Sequence, residues 1–142
     1  RYFERVRNIL FVTNMKALDA MKSAAEKLGY GTKIENAELQ GEAREVGEML
    51  ARDAVAPKTC RLFGGETTVT VKGEGKGGRC LEVVLGALGA MREGVVVVAA
   101  TSDGWDNTPF AGSRYCLNPT LQEIASHGKM LSIRLFLRLK KR

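Results

Sequence analysis

Residues 62–89 read LFGGETTVTVKGEGKGGRCLEVVLGALG and place six glycines within fifteen positions, four of them between a β-branched segment and an apolar one. The β-branched segment, residues 67–72, predicts a strand, because valine and threonine favour extended backbone. Residues 79–91 carry leucine, valine and methionine at helical spacing and predict a helix. The glycines between them form either a loop that comes close to a bound group or a flexible connection.

Further strands and helices are predicted on both sides of this stretch. The other predicted strands are residues 8–13, 31–39 and 94–104, and the other predicted helices are residues 15–29 and 41–54. Asn14 is the predicted N-cap of the first helix. Residues 94–104 begin with a continuous apolar run, which is typical of a strand buried on both faces. Strands that alternate with helices predict a single α/β domain, with a layered, mainly parallel or mixed sheet and βαβ crossovers.

The last part of the chain gives weaker signals. Residues 105–113 are typical of a loop, and residues 118–128 predict a helix that begins near Pro119. Residues 130–141 fit either a strand or an amphipathic helix, because their leucines alternate while two arginines keep a spacing of four. A strand is the favoured interpretation.

The composition is that of a globular protein. The chain has 142 residues, of which 44% are hydrophobic and 27% are charged, enough for one domain with a sizeable core. No apolar run reaches the roughly 18 residues that a membrane span needs, and residues 1–8 lack the apolar region of a signal peptide. A cytoplasmic protein with no membrane partner is therefore expected. Three widely spaced cysteines predict reduced thiols rather than a disulfide or a zinc site.

The positive charge is concentrated at one end of the sequence. The net charge is +6, and residues 129–142 hold six basic residues and no acidic ones. Residues 1–128 are therefore balanced in charge. A nucleic-acid-binding face needs cations spread over the fold, so a nucleic-acid partner is unfavoured.

The glycine-rich turn, residues 73–78, matches the pattern G-x-G-x-x-G between a strand and a helix. The acidic residue expected about 20 positions on is absent, and Lys76 is not followed by Ser or Thr, so neither the dinucleotide fingerprint nor a Walker A loop is complete. Such a turn still presents N–H groups and the positive helix end to an anion. Arg79 is suited to hold two oxygens of a phosphate or carboxylate. The alternative is a mobile loop with solvated Lys76 and Arg79.

Three further stretches are candidate sites. TSDG, residues 101–104, lies at the predicted carboxyl end of a strand, where open α/β sheets bind ligands. Asp103 is suited to hold Mg²⁺ or to accept a proton from a hydroxyl, with Asp106 three positions on; the alternative is an Asp-Gly turn. In GGET, Glu66 is either a ligand contact or a turn-facing acid. GEAR, residues 41–44, is best explained as a helix N-terminus.

These stretches resemble the glycerate 2-kinase family when they are taken together and in this order. The resemblance rests on GEAR, GGETTVTVKG, GKGGR with Glu82 three positions on, and SDG followed by Ala111-Gly112. From about residue 62 to residue 142 the chain resembles the C-terminal MOFRL domain of that family. Residues 8–61 resemble the βαβα segment that precedes that domain.

The resemblance implies ATP-dependent phosphoryl transfer to glycerate, with ATP and Mg²⁺ as cofactors, in a cleft shared with an amino-terminal domain. Charge and position assign Arg79 as the stabiliser of the transferring phosphoryl group and Asp103 as a metal or substrate contact. The residues expected to bind the cofactor are Gly64, Gly65, Glu66, Thr67, Gly75, Lys76, Gly77 and Gly78.

The chain also departs from the family pattern. Cys80 and Leu81 stand where the family has Asn-Gln, Asp106-Asn107 replaces a second Asp-Gly, and the closing Thr-Gly-Pro-Thr-Gly-Thr-Asn-type loop is absent. We therefore expect a truncated, divergent, stand-alone copy that requires an amino-terminal kinase domain for activity. The alternative is a non-catalytic remnant that binds an anion or nucleotide, or self-associates. The expected partners are a small phosphate or carboxylate ligand, and that domain or a second copy.

Overall fold

A computed structural model describes residues 4–7, 9–53, 56–75, 77–92, 94–107 and 111–116, the last of these as backbone only. In chain order the elements are α1 (Asn14–Lys27), β1 (Gly31–Leu39), α2 (Ala43–Arg52), β2 (Thr59–Gly65), α3 (Arg79–Leu88), β3 (Val97–Trp105) and β4 (Ala111–Cys116). The predicted α/β class is confirmed, with one parallel and one antiparallel strand pair. The chain divides into two compact units. Of the described residues, the first unit contains those up to residue 40 and residues 56–67, and the second contains residues 41–53 and those from residue 68 on.

The first unit contains α1, β1 and β2. The two strands pair in parallel, with Gly31 opposite Thr59 and Leu39 opposite Gly65, and α2 lies in the connection between them. Helix α1 packs on this pair through Leu18, which is 2% exposed. The predicted strand at residues 31–39 is thus confirmed, while β2 was not predicted, because its sequence TCRLFGG shows no clear alternation.

The start of the first unit corrects two predictions. Thr13, rather than Asn14, is the N-cap of α1, because its side chain accepts the N–H of Lys16 at 3.1 Å. The predicted strand at residues 8–13 is wrong for the described residues 9–13, which form no strand. The apolar side chains of residues 9–12 are 69–81% exposed. An apolar run forms a strand only when a neighbouring strand and a core face accept it.

Helices α2 and α3 pack closely in the second unit. A Cβ on Gly47 would clash with the carbonyl oxygen of Val83, and a Cβ on Gly86 would clash with that of Arg44. Glycine destabilises a helix by about 1 kcal/mol relative to alanine. At Gly86 that cost is compensated by the close approach of the two helix backbones.

The hydrophobic core of the second unit lies between these helices and β3. Its buried residues are Ala51, Val84, Ala87, Met91 and Val97. Strand β3 pairs antiparallel with β4, and α3 packs against both strands. Val97 is buried while Val98 is 58% exposed. The prediction that this strand is buried on both faces is therefore wrong, because its side chains alternate between the core and the solvent.

Two other predictions need correction. Residues 67–72 do not form a strand, and Thr68 makes only an isolated bridge with Glu42. The predicted loop at residues 105–113 includes the start of β4. The predictions for residues 118–128 and 130–141, and the basic segment 129–142, lie outside the described residues. In the described part of the chain there is no helix with the length and apolar content that a membrane crossing requires.

Candidate functional site

The first glycine-rich junction lies at the end of β2. Gly65 has φ 156°, and a Cβ there would clash with the backbone of Leu39, while the N–H of Glu66 donates to the Leu39 carbonyl at 2.9 Å. A Cβ on Gly64 would clash with the side-chain amide of Asn14. Both glycines therefore allow β2 to pack closely within the first unit, Gly65 against the backbone of Leu39 and Gly64 against the side chain of Asn14. A ligand is not needed to explain either of them.

The residues that follow this junction have a different environment. Glu66 is exposed and Thr67 is half-buried. They come directly after β2, and Leu39 and Gly65 end the parallel strands β1 and β2 at the same edge. The carboxyl edge of a parallel sheet is the usual place for a ligand. Among the predicted residues of GGET, Glu66 and Thr67 are thus better placed than the two glycines to contact one.

The segment after the junction is hydrogen-bonded to the start of α2. The N–H of Thr68 donates to the Gly41 carbonyl at 2.9 Å, and the N–H of Ala43 donates to the Thr68 carbonyl at 2.8 Å. The Glu42 carboxylate accepts the N–H and the hydroxyl of Thr70, each at 3.0 Å. The structure thereby joins GEAR to the TTVT segment, and it confirms that GEAR begins a helix. The sequence analysis did not connect these two motifs.

The glycine-rich turn precedes α3, as predicted, and its first half is open. A Cβ on Gly73 or Gly75 would meet no protein atom within 4 Å. Both residues are exposed. Lys76, a predicted ligand contact, lies outside the described residues. The open half of the turn can therefore be approached closely by another molecule.

The second half of the turn is closed by Asp106. This side chain is 4% exposed, its Oδ1 accepts the N–H of Cys80 at 3.1 Å, and its Oδ2 accepts the N–H of Leu81 at 3.0 Å. A Cβ on Gly78 would clash with the Asp106 carboxylate, and one on Gly77 would press on the Leu81 side chain at 3.0 Å. The expectation of bare amides near Arg79 is therefore wrong at Cys80 and Leu81. The Asp106 carboxylate, which belongs to the same chain, accepts these two N–H groups in place of a bound anion.

Arg79 and Asp103, the two predicted catalytic residues, both belong to the second unit and are exposed. Arg79 is the first residue of α3, and Asp103 lies in β3, where its Oδ1 accepts the N–H of Trp105 at 3.0 Å. That hydrogen bond lowers the pKa of Asp103, and the positive charge of Arg79 lowers it further. Asp103 is therefore ionised at neutral pH and within the electrostatic reach of a guanidinium.

An ion pair joins two residues of the motifs on which the family resemblance rests, Arg44 of GEAR and Glu82. The guanidinium of Arg44 in GEAR lies 3.2 Å from the carboxylate of Glu82, three positions after Arg79. Both side chains are partly exposed, so the pair contributes little to stability on its own. It ties the first turn of α3 to the start of α2.

The residues present are compatible with Mg²⁺ at Asp103. A protein usually supplies Mg²⁺ with one or two carboxylates, while waters and substrate phosphates complete the octahedron. The ionised Asp103 meets that requirement. Nowhere in the described residues do three or more His, Cys, Asp or Glu side chains form a cluster able to hold a metal. Asp103 thus fits a metal ion that phosphates also ligate, rather than a site made by the protein alone.

Comparison with known proteins connects this chain to one family. Residues 59–138 match the MOFRL family. A D-glycerate 2-kinase from Thermotoga maritima is 35% identical over 125 residues, which cover 80% of this chain and 30% of that protein. A glycerate 2-kinase from Pyrococcus horikoshii is 31% identical over 134 residues, covering 87% and 30%. The crystal structure of a glycerate kinase from T. maritima superimposes with a TM-score of 0.68 and 32% identity, over 82% of this chain and 31% of that one. This chain spans about 30% of the length of these relatives.

Proposed function

This chain belongs to the MOFRL family, and we propose that it supplies part of an active site that transfers phosphate from ATP to glycerate. The observation that carries the proposal is the position of Arg79, which begins α3 directly after a turn whose first half is open. The Asp106 carboxylate bonds the start of that helix to the end of β3, the strand that holds Asp103. Phosphoryl transfer requires positioning and positive charge rather than covalent catalysis by the protein. Arg79 provides the positive charge, and Asp103, in the same compact unit, provides a carboxylate that can hold a metal ion.

Arg79 acts on the phosphate that is transferred. Its planar guanidinium donates to two phosphoryl oxygens at once and stabilises the negative charge that develops on them. Gly73 and Gly75 allow the phosphate chain to approach the backbone closely, because nothing fills the space beside them. We assign Lys76 as a further cationic contact in the same turn.

Asp103 acts as a ligand for Mg²⁺ rather than as the general base. A general base works best when its pKa is near the working pH, and the pKa of Asp103 is lowered. A carboxylate that stays ionised is better suited to hold a cation. The metal ion supplies charge neutralisation on the phosphates when it is bound.

The first unit has candidate ligand contacts of its own. In the first unit, Glu66 and Thr67 are candidate ligand contacts at the carboxyl edge of β1 and β2. Relatives of which this chain covers only 30% carry the glycerate kinase name, so we propose that an amino-terminal kinase domain completes the enclosure that transfer chemistry needs. A cytoplasmic location remains a prediction from composition.

A second candidate function is a non-catalytic, self-associating domain. It is favoured by the exposed apolar side chains Val98 and Trp105 on β3, which are 58% and 59% exposed. Analytical ultracentrifugation tests this second candidate. A strict monomer over the whole concentration range would remove the self-association.

The experiment that tests the proposed function is complementation. The chain is mixed with a separately produced amino-terminal part of the T. maritima glycerate 2-kinase, and ATP-dependent phosphorylation of glycerate is measured. Activity is expected only in the mixture, and Arg79→Gln should lower its rate by about 100-fold or more, since transition-state charge loses its stabiliser. Arg92→Gln, an exposed arginine after α3, is the matched control and should leave the rate unchanged. No activity at any ratio, or full activity of Arg79→Gln, would contradict the proposal.

A further inference from the structure

We propose that Asp106 is a positioning residue, which fills the amide site at the start of α3 and thereby directs phosphate recognition to the guanidinium of Arg79. The proposal rests on the proposed function, since it concerns how the same site holds a phosphate. It goes further by naming which of two anion-binding devices the chain itself already occupies. One is the helix N-terminus, and the other is the arginine side chain.

The helix N-terminus is already occupied. The start of a helix carries unpaired N–H groups and about half of an elementary positive charge, which attract an anion. Asp106 satisfies both demands, because its two oxygens accept the N–H groups of Cys80 and Leu81 and its charge compensates the helix end. A phosphate at that place would need the same donors and would meet a buried negative charge. The amide site is therefore closed to a second anion.

The same carboxylate connects the two candidate catalytic residues. Asp106 follows Trp105, whose N–H holds the side chain of Asp103. Its hydrogen bonds reach the residue directly after Arg79. The end of β3 and the start of α3 are thus held together by one buried side chain. Any change in Asp106 is expected to alter the position of Arg79 relative to Asp103.

Gly78 is the residue that makes this arrangement sterically possible. A Cβ at that position would overlap the Asp106 carboxylate. Gly75, three positions earlier in the turn, has no protein atom within 4 Å of the place where a Cβ would lie. Gly78→Ala should therefore disturb the Asp106 contact, and Gly75→Ala should leave it intact. The pair provides a matched control that does not change any charge.

The test uses NMR of the full chain, with inorganic phosphate as the probe. Scalar couplings across hydrogen bonds are measured first, from the Cys80 and Leu81 amides to the Asp106 carboxylate. These couplings are compared in the wild type, Gly78→Ala and Gly75→Ala. Phosphate is then titrated into the wild type, Asp106→Asn and Gly78→Ala. The Arg79 Nε–H and the two amide signals are followed, and circular dichroism verifies that each variant is folded.

The wild type and Gly75→Ala should show both couplings. In the wild type, phosphate should shift the Arg79 signal but not the two amides. Asp106→Asn should lose the ionic acceptor, so that phosphate now shifts the Cys80 and Leu81 amides in a saturable way. Gly78→Ala should show weakened couplings and the same new response. If Asp106→Asn does not fold, the wild-type couplings and the Gly78→Ala response decide the question.

Other outcomes would overturn the proposal. If phosphate shifts the Cys80 and Leu81 amide signals of the wild type, then phosphate displaces the Asp106 carboxylate from these amides. Absent couplings in the wild type, or an Asp106→Asn variant whose amides ignore phosphate, would show that Asp106 does not keep an anion site closed. Failure of the proposed function looks different, because the Arg79 signal would then stay unchanged while the Asp106→Asn amides still respond.

Discussion

At the end of β2, the space beside Gly65 is filled by the backbone of Leu39, whereas in the turn before α3 the space beside Gly73 and Gly75 is open. The two regions look alike in sequence, as both place glycines at a junction with a regular element. The first region is closed by the protein itself. The second is closed only at its far end, where Asp106 contacts Gly78. A cluster of glycines therefore indicates that some group comes close to the backbone. Only the three-dimensional surroundings show whether that group belongs to the protein or to a ligand.

The largest expected effect comes from filling a closed position and an open one with the same methyl group. Gly65→Ala should reduce the free energy of unfolding by about 3 kcal/mol, because a Cβ meets the Leu39 backbone and φ 156° disfavours alanine. Gly73→Ala should change it by less than about 0.5 kcal/mol. Urea unfolding of both variants measures the difference. Equal costs at the two positions would show that the contrast between the regions is not real.

A second pair extends the comparison to the helices of the second unit. Gly86→Ala should destabilise by about 2 kcal/mol, since the added methyl group forces α3 away from the backbone of Arg44. Gly89→Ala, at the end of the same helix, meets no atom within 4 Å and should be neutral or stabilising by about 0.5 kcal/mol. Thermal unfolding at matched protein concentrations distinguishes them. A Gly86→Ala variant as stable as Gly89→Ala would mean that α2 and α3 are not closely packed.

The smallest expected effect concerns the open region and its charge. The pKa of Asp103 lies below its ordinary value, mainly because the N–H of Trp105 donates to it, and the positive charge of Arg79 makes the smallest contribution. Arg79→Gln should raise this pKa only part of the way, since the hydrogen bond remains. A folded-state pKa that is lowered means that any stabilisation by Asp103 is present above the unfolded-state pKa and is lost as the pH falls through the folded-state pKa.

A pH titration of the Asp103 carboxyl carbon by NMR measures this shift in the wild type and in Arg79→Gln. Arg92→Gln is the control and should leave the Asp103 curve where it is. An Asp103 curve that does not move in Arg79→Gln would separate the two proposed catalytic residues and weaken the site.

Local patterns predicted the helices of the described residues better than the strands. All three described helices and β1 were predicted, because helical periodicity and strand alternation depend on neighbours in the sequence. The strand prediction for residues 67–72 was wrong for a non-local reason, because the hydrogen bonds of this segment go to residues 41–43 and not to a neighbouring strand. Strand propensity describes what fits a sheet and does not supply the partner.

The candidate site shows the same limit. Arg79 and Asp103 were selected by residue type and position, and the structure places both in one unit. The role of Asp106 could not be read from the sequence, because its partners Cys80 and Leu81 lie 26 and 25 positions away. An aspartate close behind a strand, together with a glycine before a helix, is a signal that such a contact can form. It does not reveal whether the contact does form.

The most direct test of the central claim is calorimetric titration of the chain with Mg-ADP. Binding of the phosphates by Arg79 predicts that Arg79→Gln weakens the affinity about 10-fold or more, as expected for the loss of a charge-assisted hydrogen bond. Arg92→Gln should bind Mg-ADP as the wild type does. An Arg79→Gln variant with the wild-type affinity, or a wild type that binds no Mg-ADP, would contradict the claim that this end of the molecule recognises phosphate.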